Sequence, residues 1–301
     1  MKPIHQSIEA LKNLELSKYP RDEIQSIFNE IGRIGFVEVI FHKGKVILRS
    51  RPNYNGERFE KKSDYSFKPQ ECNKTYQRAS TPHSTMFYGT VVPEKIQPGE
   101  LDNMRVIGIA ETIPMMKDNQ QSGYQKISFG KWVVAEDIRL IAIVYKESFS
   151  KESSYTKELA DAYKGFLYST SLENQERSLS FTSFLADEFS KEKISGDYEY
   201  MISALFSELV IQKGLDGVLY PSVRVSGRGF NIAITPEATN KLKLIAAGEC
   251  SVYKLREDTV VGNDAIVELD GTEETFILRD IERNEKEYLA RLGVTSIEDL
   301  R

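Results

Sequence analysis

Four groups of polar side chains stand at the ends of apolar runs, the places where a fold presents reactive groups to a ligand. The most informative is Gly214-Leu-Asp-Gly-Val-Leu-Tyr-Pro-Ser222-Val-Arg-Val-Ser-Gly-Arg-Gly-Phe-Asn231-Ile-Ala-Ile234. A helix ends at the glycine, Val218-Leu-Tyr reads as a buried strand, and proline stops that strand. Ser222 then opens a loop rich in glycine and arginine, and a second apolar strand follows. A hydroxyl at the lip of a sheet, beside basic side chains and glycines, builds a site for a phosphate-bearing ligand. Taken alone, the same stretch describes a surface connection between two strands. Arg49 and Arg51 stand two apart where a strand enters a long loop, so they share a face and can aim planar forks at phosphate oxygens. Solvated strand ends carry arginines as well. Arg78-Ala-Ser-Thr-Pro-His-Ser-Thr-Met-Phe-Tyr88-Gly89 is a turn feeding a strand. The Tyr88 ring can stack on a flat heterocycle while its hydroxyl hydrogen-bonds. Glu111 in Gly108-Ile-Ala-Glu-Thr-Ile-Pro114 reads as a carboxylate directly after an apolar strand.

The elements that must position these groups follow from periodicity. Residues 5–33 read as two short helices interrupted at Pro20. Phe36–Phe41, a Lys43-Gly44 turn and Lys45–Arg49 read as a β-hairpin. Residues 52–82 are polar and mostly loop, long enough to suggest a segment that binds or covers something. Met86–Gly89, Val106–Ala110, Ile127–Val134 and Ile138–Tyr145 read as strands, the last nearly continuous in apolar character, as in a sheet interior. Helices are expected around residues 155–166 and 181–189, and from an Asp197 cap to Gly214. Their aromatic and Met stripes read as core. Beyond Pro236, strands are expected over 241–246 and 251–255, then a hairpin over 265–278 and a charged helix carrying Tyr288, Leu289 and Leu292. The pattern is α+β, mixed sheets with flanking helices, without βαβ alternation or a glycine-rich dinucleotide fingerprint.

Composition bounds the function. The chain has 301 residues, 40% of them hydrophobic, so it can bury a sizeable core. A net charge of −5, with Lys and Arg spread along the chain, argues against broad nucleic-acid binding but leaves room for a small anion. The two cysteines, Cys72 and Cys250, are far apart, and the three histidines are scattered, so neither a disulfide framework nor metal-ligand spacing is expected. Without an apolar signal core or an 18-residue apolar run, the expectation is a cytoplasmic protein with no membrane segment.

In chain order, Arg49 (or Arg51), Arg78 through Tyr88, Glu111, Trp132 and Leu215 through Ser222 resemble the RES-domain family, named for its Arg, Glu and Ser. The resemblance covers roughly residues 40–235, and Asp-Gly-Val-Leu-Tyr-Pro-Ser222 with the following Asn231-Ile-Ala-Ile is its most specific part. It implies an ADP-ribosyltransferase-like core and an enzyme that destroys NAD, by hydrolysis or phosphorolysis of the nicotinamide–ribose bond, as the toxin of a toxin–antitoxin pair. NAD is then a substrate, and no further cofactor is implied. Glu111 would stabilise the cationic ribose, Arg49 with Arg51 would hold the pyrophosphate, Tyr88 would orient the nicotinamide ribose, and Ser222 would bond a phosphate or ribose oxygen. Arg78 and Asn231 are further substrate-binding candidates. Glu94 and Glu100, between Tyr88 and Glu111, are alternative carriers of the acid. Residues 1–35 form a helical extension, 36–235 the catalytic domain and 236–301 a C-terminal extension. The extensions could cover the site, bind a neutralising antitoxin protein, or form a homo-oligomer surface. The same site would also serve an ADP-ribosyltransferase that modifies a macromolecule, or a non-catalytic nucleotide-binding module.

Overall fold

A computed structural model describes residues 3–93, 98, 101–143, 146–150 and 153–300. Two helices come first, α1 Ile4–Lys12 and α2 Arg21–Ile31. Their buried residues Ile4, Ile8, Leu11 and Ile24, Phe28, Ile31 recur at three- and four-residue steps, which puts them on one side of each helix. Then follow β1 Val37–Phe41, β2 Val46–Asn53, β3 Phe87–Val91, α3 Met104–Thr112, β4 Gly123–Val134 and β5 Ile138–Ala142. Helices α4 Glu147–Ser150, α5 Ser154–Tyr168, α6 Leu172–Phe189 and α7 Met201–Gln212 precede β6 Gly217–Pro221 and β7 Phe230–Ile234. The chain closes with β8 Leu242–Leu255, β9 Asp258–Glu268, β10 Arg279–Asp280 and α8 Glu285–Arg291. Among the described residues no helix is long and apolar enough to cross a membrane.

The strands form one mixed sheet in the order β1-β5-β6-β7-β3-β2-β4-β8-β9-β10, so the class is α+β. Only β5 and β6 run parallel; every other pair is antiparallel. The expected hairpin over residues 36–49 is not formed. Both strands exist, but β1 pairs with β5 and β2 with β4 in one unbroken register, Phe41 facing Ile138 and Val46 facing Val133. The tight turn at His42–Lys45 is pinned to the other arm by Gly44 N–H to Val134 O at 2.8 Å. It therefore bends a long two-stranded ribbon instead of reversing the chain. Eight ladder pairs between β2 and β4 reward that choice over a local hairpin.

The register fixes which side chains share a face. Leu48 faces Thr90, Thr90 faces Asn231, and Asn231 faces Tyr220, a row across β2, β3, β7 and β6. Residues opposite one another in a ladder point the same way, and direction alternates along each strand. Ser50, Tyr88, Ala233 and Val218 therefore join this first face, whereas Ile47, Arg49, Arg51, Phe87 and Ile232 point to the second. The first face is covered by α1, α2, α6 and α7 around Val218, Tyr220 and Ala233, and by α3 around Leu48, Ile127 and Phe129. On the second face a single apolar cluster joins Phe41, Leu140 and Ile232 to Phe87, Trp132 and Leu244.

Other expectations fare unevenly. Residues 54–82 are loop with two short 3-10 turns, and the helices near 155–166 and 181–189 are present but longer. The strand expected to reach Tyr145 is β5, ending at Ala142; residues 144 and 145 lie outside the described residues. Asp197 is not a helix cap: its carboxylate accepts from Tyr19 OH at 2.6 Å and Tyr76 N–H at 2.9 Å, tying loops to the start of α7. Past Pro236, the two short strands are one, β8, with a bulge against β9 between Glu249 and Cys250. The return leg of the expected 265–278 hairpin is not a strand; β9 pairs instead with β10, the two residues just past that leg. Because β8 pairs with β4 from Leu242 to Lys254, residues 242–280 continue the sheet that β1 begins.

Phe206 of α7 is buried against Phe28, Phe36, Phe181 and Phe189, with ring centroids 5.2–6.4 Å away. Phe206→Ala should lower unfolding free energy by about 3–5 kcal/mol, read as a shifted urea midpoint at unchanged slope.

Candidate active site

The segment read as a strand over Val106–Ala110 is the helix α3. Asn103 caps it, its side-chain oxygen accepting from Arg105 N–H at 3.0 Å. Ile109 and Ile113, one turn apart, bury together on the sheet. A short apolar run suits either a strand or a buried helix, and here the cap decides. Two glycines set the depth of α3. A Cβ on Gly108 would stand 1.9 Å from Ser50 Oγ and 2.9 Å from Ser50 Cβ. A Cβ on Gly229 would stand 2.2 Å from Ile107 Cδ1. With no side chain at either point, α3 is seated between β2 and the loop that follows β6. Thr90 Oγ1, donating to Met104 O at 3.2 Å, fastens its first turn.

Seated so, α3 brings Glu111 of its last turn over the ends of β6 and β7. Glu111 Oε1 accepts from Ser222 Oγ at 2.6 Å and from Asn231 Nδ2 at 2.7 Å. Ser222 is 0% exposed and Asn231 8%, while Glu111 is half-buried. Glu111 Oε2 has no partner among the described residues. Backbone bonds hold the serine: Ser222 N–H donates to Gly229 O, and Gly227 N–H to Ser222 O, each at 2.8 Å. The loop reverses through left-handed Ser226 and Gly227, φ +53° and +76°. Asn231 thus helps to position the carboxylate.

Tyr88 lies on this same face. Its hydroxyl is 2.8 Å from Ser80 Oγ and accepts from Ala79 N–H at 3.1 Å, so the turn after Arg78 closes onto the ring that ends it. Burial pushes the phenol up to about 12, so it stays a neutral hydroxyl. Arg78 sits beside it, its guanidinium 5.1 Å from the Tyr200 ring centroid, bonded to Phe189 O and, at 3.0 Å, to Lys191 O. Those carbonyls belong to the C-terminal end of α6 and the residues just past it, where a cation is favoured. Tyr220 was not singled out from sequence. It is buried, and its hydroxyl is pushed far up by burial and then by Tyr88, with Arg78 opposing and Glu111 reinforcing. The signal was available: Tyr220 and Ser222 are two apart at a strand end.

Arg49 and Arg51 share a face as expected, but it is the second face, across the sheet from Glu111. Arg49 Nη1 donates to the Tyr88 carbonyl at 2.8 Å, and its guanidinium lies 5.4 Å from the Phe87 ring centroid. Arg51 stacks 3.9 Å over Phe59 and donates to Asp64 O at 3.2 Å. The expected pyrophosphate clamp therefore does not join the carboxylate; of the arginines expected to bind substrate, Arg78 is the one on its side. The odd-numbered register of β2 decides this, and it was not legible without knowing the partners of the strand. Glu94 and Glu100 lie outside the described residues. Four cavities, beside residues 53–58, beside Arg49 and Trp132, beside residues 103–105, and beside Phe149 and Phe189, do not include Glu111 in their walls. Among the described residues no three His, Cys, Asp or Glu side chains gather as a metal would require.

The arrangement offers a fixed carboxylate with one unpaired oxygen, a neutral phenol and a guanidinium on one side of the sheet. That set can stabilise a developing cation and bind an anion near it. No protein-family model matches the chain, and no curated protein matches its sequence.

Gly108→Ala should lower stability by about 1–3 kcal/mol through overpacking against Ser50. Ser50→Gly in the same chain should recover part of that loss, measured as a double-mutant cycle. A second expectation concerns alkaline pH. The unfolded Tyr88 ionises near its ordinary 10 and the folded one near 12, so the unfolded chain releases more protons in that window. Stability should fall as pH rises from 10 to 12, and Tyr88→Phe should make the fall shallower in a thermal melt series.

Proposed function

We propose that the chain cleaves the nicotinamide–ribose bond of NAD, as a glycohydrolase or phosphorylase built on an ADP-ribosyltransferase-like core. In a cell it would act as a growth-inhibiting toxin kept in check by an antitoxin protein. The observation that carries the reading is the meeting of Glu111 with Ser222 and Asn231, at 2.6 and 2.7 Å, from positions 111 and 120 residues apart in sequence. The sequence resemblance pairs this acid and this serine, and their direct bond supports it.

The chemistry asks little beyond what these residues supply. Nicotinamide in NAD is already cationic and leaves without being protonated, so the demand falls on the positive charge growing on the ribose. Ser222 and Asn231 both donate to Oε1, which fixes the carboxylate plane and leaves Oε2 to face that charge. Tyr88, kept neutral, offers a hydroxyl for orientation. Arg78 provides the positive charge suited to the pyrophosphate, in the role first given to Arg49. Water or phosphate then attacks the exposed ribose carbon.

The test is NAD carrying one label on nicotinamide and another on adenine, incubated with purified chain and cell extract. Free labelled nicotinamide is expected, with release reduced about a hundredfold or more in Glu111→Gln. Ser222→Ala and Asn231→Ala, which release the carboxylate from its orientation, should lose up to about a hundredfold. Adenine label on a macromolecule would mean transfer instead, and intact NAD would end the proposal.

A further inference from the structure

A groove of about 1110 Å³ opens on the second face of the sheet, lined by Arg49, Arg51, Phe67, Lys68, Trp132 and Leu242 among others. Its carboxylates are largely engaged. Asp64 lies 3.8 Å from Arg51, and Glu274 pairs with Lys62 at 3.1 Å; Glu71 is exposed at the border. Arg49 has no carboxylate partner among the described residues. One nitrogen reaches a backbone carbonyl, Nε is buried without an acceptor, and an aromatic ring lies beneath. Burial, and then the neighbouring Arg51, pull the Arg49 guanidinium down to about 10, so at neutral pH it remains charged. A cation held this way is unfavourable until an anion supplies the counter-charge.

We propose that this groove is a second ligand site, distinct from the Glu111 face, which takes a phosphate-bearing small molecule with its anionic group between Arg49 and Arg51. Two guanidiniums two residues apart on one strand face offer forked donors to a tetrahedral dianion. Stacking on Phe59 holds the Arg51 fork in place. The walls formed by Trp132, Phe67 and Leu242 suit the organic part of a phosphate ester, and the volume is that of a small-molecule site. The bond from Arg49 to the Tyr88 carbonyl links the groove to a residue whose hydroxyl lies on the other face.

The chain contains a single tryptophan, Trp132, which lines this groove and donates its indole N–H to Tyr65 O at 3.1 Å. Its emission therefore reports on this face. Pyrophosphate and AMP, titrated separately into the full chain, should each change Trp132 emission saturably. Tighter binding of AMP would identify an ester as the ligand; equal affinity would identify the phosphate group alone. Arg49→Gln should weaken binding at least tenfold. Arg51→Gln, at a half-exposed position, serves as the second variant if Arg49→Gln does not fold, and should weaken it severalfold. Overturning results would be no saturable change in the wild type, or unchanged affinity in Arg51→Gln. A response lost in Arg78→Gln but kept in Arg49→Gln would assign the anion to the other face and equally defeat the proposal.

Discussion

Two hydrogen bonds onto a single oxygen hold the site together. Through Glu111 Oε1, the last turn of α3 is tied to the end of β6 by Ser222 and to β7 by Asn231. Both donors are buried, and a buried donor left unpaired loses about 1–3 kcal/mol. The position of α3 and the state of the site are therefore one variable. The bare backbone at Gly108 and Gly229 makes the close approach possible, and the Thr90 bond to Met104 O holds the far end of the helix. A helix riding higher on the sheet would carry its carboxylate out of reach of both donors.

The second constraint is alternation along the strands. β2 presents Leu48 and Ser50 to α3 and, between and beyond them, Ile47, Arg49 and Arg51 to the opposite side. One strand thus serves two environments, a seat for the Glu111 helix and a cationic groove, separated by the thickness of a sheet. The bent ribbon formed by β1 and β2 against β4 and β5 makes this alternation rigid. Its register runs unbroken from Val37 opposite Ala142 to Asn53 opposite Lys126, so no bulge resets which residues face which way.

Much of the fold was legible where a signal is local. The helical stripes of residues 4–31 and of α5 and α6, the apolar strand before Pro221 and the loop opened by Ser222 follow from spacing and from proline and glycine. What escaped is non-local. The Lys43-Gly44 turn looks like a hairpin from its own residues, and only its bond to Val134 makes it a bend. Val106–Ala110 has no period long enough to separate strand from helix, and Gly108, a poor helix former, is there for Ser50. In the site, Glu111, Ser222, Asn231 and Tyr88 share the first face, whereas Arg49 and Arg51 point to the second. Arg49 lies within β2 and Arg78 in the turn before β3, and which of them shares the side of Glu111 depends on strand pairing that the chain does not spell out.

The borders of the sheet carry a consequence for how another polypeptide can approach. At one margin stands β1, five residues long, with Glu38 clasped by Arg139 at 2.6 and 3.2 Å. At the other stands β10, two residues long, with Arg58 bridging Leu278 O and Asp280 beside it. Short, charged margins are poor templates for an incoming strand. Lateral growth by backbone pairing is thereby discouraged, and another polypeptide arriving at either border meets charged side chains before it meets open backbone.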